Sequence, residues 1–447
     1  MRKFDIIVLG SGVAGGVAAR KLRKSGLSVA LVEAGEFGGT CPLRGCEPKK
    51  VLFDALEPLV RSANQRGNGL QGGPELNWTE LRRFKDSFVQ PISEAVKQDL
   101  QSRGIEVVQG RGRFTDAQVI EAGGKRFRGE FVVVGCGAKP RQLDFPGAEL
   151  LTTSTGFFDL KALPASLAVI GGGYIAFEFA HFAARAGSSV DIMVRSDRCL
   201  KGFDPDLVAR LEKHFARLGV RIHYDAPVDQ IEPDNGQFRL TAREGALSLK
   251  VDLALHGAGR DPDIFDIGLD QAGVSFDRQG IEVDGYLRSV SNPRVFAAGD
   301  ASAPGPKLTP VALMEAEVLS ECILGKNPKP ASYRAIPSVL FTHPVLARVG
   351  ALEEELQQAE IAYQRVFEDT SGWAAFQRIG EDTAGAKILL DPDDGGILGA
   401  HFMGERAEEV ANLFGLAMER GISLDELRRN VWSYPSYIYD AVRHLHP

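Results

Sequence analysis

Residues 38–50 read GGTCPLRGCEPKK and place two cysteines, Cys41 and Cys46, with four residues between them. Five steps along a regular α-helix rise about 7.5 Å, which exceeds the ~7 Å limit for bridging two Cα atoms by a disulfide. A disulfide here would need a distorted backbone, and Pro42 and Gly45 make such a distortion easy. We expect Cys46 in the first turn of a helix, where the helix dipole and the following lysines favour a thiolate. Taken alone, the spacing favours two buried cysteines that never pair.

A dinucleotide-binding fingerprint precedes this stretch. A buried-strand pattern is followed by GSGVAG (residues 10–15), a helical pattern and a second strand that ends at Glu33. Gly10 allows the tight turn, Gly12 lets the backbone approach a pyrophosphate, and Gly15 lets helix and strand pack closely. The helix N-terminus offers N–H groups to the anion. Glu33 is placed to accept hydrogen bonds from a ribose.

A second fingerprint, GGGYIA, occupies residues 171–176 between another strand and helix. Gly171 and Gly173 take the roles of the first and second glycines of the motif. The next strand ends at Arg195 instead of an acid, and Lys201 lies six positions on. A carboxylate would repel a 2′-phosphate, whereas arginine attracts one. The sequence therefore favours NADPH over NADH at this site, although a solvated basic loop would show the same residues.

The composition narrows the function classes. The chain has 447 residues, and 52 Lys and Arg against 59 Asp and Glu give a net charge of −7 without a long basic run, so nucleic acid and anionic membranes are not expected partners. No apolar stretch reaches the ~18 residues of a membrane span. The short apolar run near the N-terminus does not resemble a signal peptide, so we expect a cytoplasmic protein. In a reducing compartment a disulfide is usually catalytic. Cys136, Cys199 and Cys322 are interpreted as packing residues.

The rest of the chain continues the pattern. A helical pattern covers 79–102, and a strand at 294–300 ends in Gly299 and Asp300 before LTPVA at 308–312. From about residue 336 the pattern alternates like antiparallel strands, followed by two helices over 407–420 and 423–428.

These motifs, in this order over essentially the whole chain, resemble the pyridine nucleotide–disulfide oxidoreductases, the family of glutathione reductase and dihydrolipoamide dehydrogenase. The resemblance implies an α/β fold with two Rossmann-like dinucleotide-binding domains and a C-terminal α+β dimerisation domain. Residues 1–140 and 264–330 would form a discontinuous FAD-binding domain, residues 141–263 an NADPH-binding domain, and residues 331–447 the interface of a homodimer whose active site is shared between the subunits.

The resemblance also assigns an electron relay. NADPH would pass hydride to FAD, and the Cys41–Cys46 disulfide would take the electrons on the opposite face of the flavin. Cys46 would rest as the charge-transfer thiolate, while Cys41 would attack the substrate. Lys49 would lie near flavin N5 and pair with Glu178, and Tyr174 would cover the ring until the nicotinamide displaces it.

Further cofactor residues follow from the same resemblance, and none of them is a metal ligand. The FAD site would comprise Gly10, Gly12, Gly15, Glu33, Thr40, Lys50, Gly112, Gly137, Asp300, Thr309 and Ala312. The NADPH site would comprise Gly171, Gly173, Tyr174, Ile175, Arg195, Lys201, Gly259 and Arg260. Within the first set, Asp300 would bind the ribityl hydroxyls and Thr309 would face the pyrimidine side of the flavin.

One departure lies near the C-terminus, where the family carries His-Pro-Thr-x-x-Glu as the acid–base pair of the outer thiol. Tyr434 stands for the His and Tyr439 for the Glu. A tyrosine with an ordinary pKa of about 10 is a poor base near neutrality but a good hydrogen-bond donor. Either Tyr434 is catalytic, or it only packs at the interface; His444 or His446 could also replace the missing base.

The sequence predicts an FAD-dependent NADPH:disulfide oxidoreductase for a small-molecule or protein disulfide. Arg20 falls on a glutathione-binding position of glutathione reductases, but Glu317 replaces a second, cationic one. One alternative is a metal-ion reductase of the mercuric reductase kind, which also carries Tyr but needs a C-terminal cysteine pair, and no cysteine follows Cys322. Another is a specialised relative such as 2-ketopropyl-coenzyme M carboxylase. A non-catalytic flavoprotein scaffold is disfavoured by the intact cysteines.

Overall fold

The structure is a computed structural model that describes residues 1–445. The α-helices of this range are α1 (Val13–Lys24), α2 (Thr40–Arg44), α3 (Cys46–Asn64), α4 (Trp78–Val89), α5 (Ile92–Ser102), α6 (Ser154–Phe158), α7 (Tyr174–Arg185), α8 (Pro205–Arg217), α9 (Thr309–Ile323), α10 (Glu353–Gln358), α11 (Ala374–Gln377), α12 (Ala407–Arg420), α13 (Leu424–Arg429) and α14 (Tyr437–Arg443).

The β-strands are β1 (Arg2–Leu9), β2 (Val29–Glu33), β3 (Glu106–Gln109), β4 (Arg113–Asp116), β5 (Val119–Ala122), β6 (Lys125–Val134), β7 (Ala138–Pro140), β8 (Ser166–Ile170), β9 (Ser189–Met193), β10 (Arg221–His223), β11 (Val228–Asp234), β12 (Gln237–Ala242), β13 (Leu247–Val251), β14 (Leu253–His256), β15 (Arg260–Pro262), β16 (Val295–Ala297), β17 (Ser338–Leu340), β18 (Leu346–Gly350), β19 (Gln364–Glu368), β20 (Gly385–Leu390) and β21 (Ile397–Met403).

The chain divides into two compact units. The first comprises Met1–Lys50, Arg82–Arg141 and Arg260–Tyr333, and the second comprises Val51–Leu81, Gln142–Gly259 and the segment from Arg334 on. The three-domain boundaries predicted from the sequence stay a prediction. Residues 51–81 pack with the second unit, because Leu52, Leu56, Trp78 and Leu81 belong to the same hydrophobic core as Phe157 and Phe177.

A seven-stranded sheet organises the first unit. Its order is β3-β2-β1-β6-β5-β4, with β16 also beside β6, and β1 runs parallel to β2 and β6. Ile6 and Val8 of β1 join the core that contains α1 and α9, whereas Ile7 and Leu9 join the core on the other face. Burial on both faces explains the unbroken apolar run, which is typical of a parallel strand.

Three sheets form the second unit. The parallel sheet β10-β9-β8-β14 carries the second fingerprint between β8 and α7, and the antiparallel sheets are β11-β12-β13 and β17-β18-β21-β20-β19. The five-stranded sheet packs against α12, which spans the range predicted for that helix.

The structure corrects one element. The predicted helix over 79–102 is two helices, α4 and α5, that are separated at Gln90 and Pro91. Proline has no N–H to donate to the preceding turn, so the helix breaks there. No helix within residues 1–445 has the length and apolar character needed to span a membrane.

Candidate active site

The two cysteines lie on either side of a helix break. Cys41 belongs to α2, Cys46 is the first residue of α3, and Gly45 between them has φ −135° and ψ −110°. A Cβ at Gly45 would come within 2.9 Å of the carbonyl oxygen of Thr40. The predicted distortion is therefore present at Gly45, and Cys46 opens a helix that continues past Lys50, as predicted.

Both cysteines are free thiols, so the structure presents the reduced state of the pair. The hydrogen bond from Cys41 lowers the pKa of Cys46 to about 6, helped by the Thr309 hydroxyl and by the charges of Lys49 and Lys50, and opposed by burial. The same hydrogen bond and burial raise the pKa of Cys41 well above its usual range. The proton of the reduced pair therefore stays on Cys41, and the negative charge lies on Cys46.

The first fingerprint has the geometry of a phosphate-binding turn. Gly10 has φ +98°, and a Cβ there would lie 2.3 Å from the carbonyl oxygen of Gly135. A Cβ at Gly15 would lie 2.0 Å from the carbonyl oxygen of Gly10, so these two glycines are required by backbone packing.

Gly12 differs from these two glycines, because a Cβ there would contact only Gly39, at 3.7 Å from its Cα atom. Gly12 is also the N-cap of α1 and offers no side chain to the first N–H groups of the helix. The cradle thus fits a pyrophosphate, which needs close backbone approach and uncapped N–H groups.

Glu33 is held in place by Ser11, a residue that the sequence interpretation missed. Glu33 Oε2 accepts hydrogen bonds from the Ser11 backbone N–H at 2.8 Å and from the Ser11 hydroxyl at 2.6 Å, while Oε1 accepts from the N–H of Gly35 at 2.8 Å. A carboxylate has about four acceptor positions, so Oε1 retains one for a ribose hydroxyl.

Asp300 lies in a short 3₁₀ turn between β16 and α9. Burial raises the pKa of its carboxyl, against the opposing charges of Arg260 and Lys307. Its carboxylate makes no hydrogen bond with any residue that the structure describes, so it remains available to the hydroxyls of a ligand.

Other residues predicted for the FAD site are also placed by backbone constraints. A Cβ at Gly112 would meet Leu9 Cδ2 at 2.7 Å, and Gly137 has φ +70°. Thr40 is the first residue of α2, and Ala312 is buried in the first turns of α9. Gly259, predicted for the NADPH site, has φ +105°.

Arg260 lies in the first unit, unlike the rest of the predicted NADPH set. Its guanidinium donates to the carbonyl of Ala138 and acts electrostatically on Asp300. Arg260 therefore lies in the same unit as Asp300 and acts on its carboxylate through its charge.

In the second fingerprint, as in the first, the first glycine is required by backbone packing and the second is not. Gly171 has φ +127°, and a Cβ there would lie 2.2 Å from the carbonyl oxygen of Gly257, whereas a Cβ at Gly173 would meet nothing within 4 Å. Gly173 is the uncapped N-cap of α7. The first two residues of that helix are Tyr174, which is 42% exposed, and Ile175.

The basic residues after β9 fall into two groups. Arg198 forms an ion pair with Glu354, and its Nη2 donates to Oε2 of that glutamate at 3.1 Å. Arg195 and Lys201 are exposed, and within residues 1–445 their side chains form no hydrogen bond or ion pair. They therefore remain available to a phosphate.

Glu178, predicted to pair with Lys49, and the described residues predicted for the acid–base step, Tyr434, Tyr439 and His444, belong to the second unit. Glu178 is buried and accepts a hydrogen bond from the N–H of Phe341 at 2.8 Å. Its pairing with Lys49 joins two separate units and stays a prediction. Tyr434 is 69% exposed, and its ring lies edge-on to Tyr439 with the centroids 5.0 Å apart. His444 Nε2 lies 3.6 Å from Asp440 Oδ1, while His446 lies outside the described residues.

A buried cluster of opposite charges joins α8, α10 and β20. The fully buried Lys387 ammonium lies 2.7 Å from Asp204 Oδ2, 2.5 Å from Asp206 Oδ2 and 2.7 Å from Glu353 Oε2. The three carboxylates approach closely enough to hold a cation, and the ammonium already supplies that charge. We assign no metal to this cluster.

Comparison with known proteins identifies the family. Residues 4–316 match the model of pyridine nucleotide-disulphide oxidoreductases, and residues 336–442 match the dimerisation domain of the same family. The chain belongs to this family. The predicted α/β fold and the assignment as an NAD(P)H-dependent flavoprotein oxidoreductase acting on sulfur groups are therefore confirmed. The family binds FAD, and its glutathione reductases use NADPH as the electron donor.

Several relatives cover the whole chain. A glutathione reductase from Nostoc sp. is 30% identical over 97% of this chain and 97% of its own length. A mercuric reductase from Staphylococcus aureus is 30% identical over 95% of this chain and 78% of its own length. The solved structure of the HOCl-induced flavoprotein disulfide reductase RclA from Escherichia coli is 25% identical, with a TM-score of 0.88 and 99% of each chain covered. A Cu(II) complex of RclA is equally similar, with a TM-score of 0.88 and 25% identity over 98% of this chain and 99% of that one.

Proposed function

We propose that this protein is an NADPH-dependent disulfide reductase whose redox-active pair is Cys41 and Cys46. The observation that carries the proposal is the position of the two cysteines on either side of the break at Gly45, with Cys46 as the first residue of α3 and 3.4 Å from the Thr309 hydroxyl. FAD, when bound, supplies the electron transfer between the nicotinamide and the sulfur pair.

The two cysteines divide the reaction between them. Cys41 loses its proton, and its sulfur attacks one sulfur of the substrate RSSR, which breaks the S–S bond and releases the first thiolate, RS⁻. Cys46 then attacks the Cys41 sulfur of the mixed disulfide, releases the second thiolate and closes the Cys41–Cys46 disulfide. One leaving thiolate takes the proton that Cys41 has lost and the other takes a proton from solvent, so both leave as thiols. A hydride equivalent from NADPH, two electrons and one proton, restores the Cys41 thiol and the Cys46 thiolate.

NADPH is the preferred donor in this proposal. Arg195 and Lys201 are exposed cations after the second nucleotide strand, and neither is held by a carboxylate in the described part of the chain. Backbone packing does not require glycine at Gly12 or Gly173, because a Cβ at Gly12 would contact only Gly39 and one at Gly173 would meet nothing within 4 Å. Both glycines therefore leave room for a bound nucleotide, which supports the two nucleotide sites.

The substrate is proposed to be a disulfide other than glutathione disulfide. The Nε of Arg20, at the position suited to a glutathione carboxylate, donates to Asp99 Oδ2 at 2.7 Å. Two such bonds, from Arg103 and Arg20, lower the pKa of Asp99 to about 2. The other position, Glu317, is anionic and pairs with Lys21. A glutathione carboxylate would have to displace Asp99 and would face the charge of Glu317.

A homodimer in the cytoplasm is part of the same proposal. The match of residues 336–442 to the dimerisation domain supports the dimer, as do Tyr434 and two apolar side chains, Leu416 and Val431, which are 55% and 97% exposed. A reducing compartment suits a dithiol that must be reduced in every cycle.

Metal-ion reduction is the second candidate. Mercuric reductase is among the relatives, and the similar RclA has been solved with Cu(II). In that case the metal ion would be the electron acceptor in place of the disulfide. The lack of a cysteine after Cys322 separates this chain from the mercuric reductase pattern.

Anaerobic titration with NADPH tests the relay. The wild-type protein should gain long-wavelength charge-transfer absorbance, and Cys41→Ser should keep that band but lose disulfide turnover. Cys322→Ser, which removes a cysteine of the first unit outside the pair, is the matched control and should retain both. Absence of the band from the FAD-loaded wild type would refute the assignment of the pair.

Turnover assays then decide the acceptor. Glutathione disulfide, lipoamide, oxidised thioredoxin-like proteins, Hg(II) and Cu(II) are compared under NADPH. We expect the highest kcat/KM with a disulfide other than glutathione disulfide. Turnover restricted to the two metal ions would favour the second candidate instead.

A further inference from the structure

The hydroxyl of Thr309 lies beside the inner cysteine. Thr309 Oγ1 is 3.4 Å from Cys46 Sγ, and both side chains are partly buried. Thr309 is the first residue of α9 and Cys46 is the first residue of α3. The contact therefore joins the N-termini of two helices that are separated by more than two hundred residues of sequence.

The direction of this hydrogen bond follows from the charges. Cys46 carries the negative charge of the reduced pair, and a thiolate can only accept. The Thr309 hydroxyl has one proton to donate, and within residues 1–445 it makes no hydrogen bond to a backbone carbonyl or a carboxylate. Cys46 thus accepts from two neutral donors, the Cys41 thiol and the Thr309 hydroxyl.

We propose that Thr309 is a positioning residue that donates its hydroxyl proton to the Cys46 sulfur and so keeps the charge of the reduced pair on Cys46 instead of Cys41. This inference rests on the proposed role of the two cysteines. It gives Thr309 a function beyond the flavin contact predicted from the sequence, because the hydroxyl acts on the sulfur.

The other charged groups around the pair do not make this hydroxyl redundant. Lys49 and Lys50 act on Cys46 through their charge. Glu47 is exposed, and its charge disfavours a thiolate on Cys41. The Thr309 hydroxyl also acts to lower the pKa of Cys41, but it can donate to only one sulfur at a time, and its contact in the structure is with Cys46, at 3.4 Å.

The bond also distinguishes the two redox states. A disulfide sulfur is uncharged and a weak acceptor, whereas a thiolate accepts strongly. The Thr309 hydroxyl therefore stabilises the reduced pair more than the oxidised pair. Its loss should make the pair easier to oxidise as well as raise the pKa of Cys46.

The test uses the full-length protein with Cys41→Ser, in which Cys46 cannot form the disulfide. The rate of iodoacetamide alkylation of Cys46 is measured against pH by peptide mass spectrometry, which needs neither bound flavin nor turnover. Thr309→Val should raise the midpoint by about one to two pH units, the shift expected for one charge-assisted hydrogen bond. Thr309→Ser keeps the hydroxyl and should restore the midpoint to within about half a unit.

The controls separate this inference from the proposed function. Thr115→Val alters a threonine whose hydroxyl bonds a backbone carbonyl in the same unit and should leave the midpoint unchanged. If Thr309→Val does not fold, Thr309→Ala removes the hydroxyl with less bulk. A midpoint unchanged in the folded Val or Ala variant would overturn the inference, whereas absence of charge-transfer absorbance from the wild type, with the midpoint still shifted, would overturn only the redox role of the pair.

Discussion

Glu315 of α9 accepts a hydrogen bond from the backbone N–H of Gly299 at 2.6 Å, and Gly299 opens the turn that presents Asp300. The same buried carboxylate accepts from the Tyr333 hydroxyl at 2.8 Å. The residue proposed to bind the flavin ribityl chain therefore owes its position to an acid that does not face the ligand.

Replacing Glu315 by Ala should weaken FAD binding and stability together. The change leaves the Gly299 N–H and the Tyr333 hydroxyl without their acceptor. An unsatisfied group costs roughly 1–3 kcal/mol when fully buried, and less for these two half-buried residues. Thermal denaturation and retention of flavin on dialysis measure the two effects. Glu321→Gln, on the same helix but half-buried and ion-paired with Lys21, is the control. A Glu315→Ala protein with unchanged flavin retention would contradict the role assigned to this contact.

Two glycines of the first fingerprint should behave differently when replaced by alanine. Gly15→Ala places a Cβ 2.0 Å from the carbonyl oxygen of Gly10, so we expect little folded protein. Gly12→Ala meets only Gly39, at 3.7 Å, so the protein should fold but bind FAD weakly. Circular dichroism measures the folding of the two variants, and the flavin content after purification measures their FAD binding. Equal behaviour of the two variants would show that Gly12 does not face the cofactor.

Arg195→Glu should change the choice of nicotinamide cofactor. The substitution replaces a cation by an anion at the proposed 2′-phosphate site, and one charge-assisted contact is worth about 1.5–3 kcal/mol. We expect kcat/KM with NADPH to fall by about 100-fold, with only a small change for NADH. Lys213→Glu makes the same change of charge at an exposed position of α8 and should affect neither. Parallel losses with both cofactors would argue against the phosphate site.

The charge-transfer absorbance of the reduced protein should depend on pH in one direction. The pKa of Cys46 is lowered to about 6 from the ~8.5 of a free cysteine, so the thiolate persists above pH 6 and is lost as the pH falls through that value. An anaerobic titration from pH 9 to pH 5 should lose half of the band near pH 6. A midpoint near 8.5 would mean that the neighbours of Cys46 do not stabilise its charge.

Tyr434→His should raise turnover if the missing acid–base group limits the reaction. General acid–base catalysis typically contributes ~10² to 10⁴ in rate, and an introduced His recovers part of it, so we expect about a tenfold gain with lipoamide and a new ionisation near pH 6.5. Tyr434→Phe is the control, because it removes the hydroxyl and keeps the aromatic ring. A loss of turnover in the Phe variant would show that the Tyr434 hydroxyl itself takes part.

The sequence predicts the nucleotide fingerprints well because their constraints are local. A turn between strand and helix that needs φ +98° at Gly10, or close backbone contact at Gly15, restricts the residue type at that position. The helix start at Cys46 is similarly local, since Gly45 and Cys46 are neighbours in the chain.

The contacts that the sequence did not reveal join distant residues. The bonds from Ser11 to Glu33 and from Gly299 to Glu315 depend on how the strands and α9 are brought together. Serine and glutamate are common surface residues, and no pattern in the chain marks them as partners. The pairing of Arg20 with Asp99 likewise follows from the position of α5 beside α1.

Lys387 has a consequence for how this chain can change over evolution. Its fully buried ammonium contacts Asp204, Asp206 and Glu353. Removing the ammonium would leave the buried Asp204 carboxylate uncompensated, which typically costs about 3–5 kcal/mol. Substitution of Lys387 alone should therefore be rare among homologues, and tolerated changes should come together with replacement of Asp204. The ion pair between Lys387 and Asp204, both fully buried, should also be insensitive to high ionic strength, because mobile ions do not reach it.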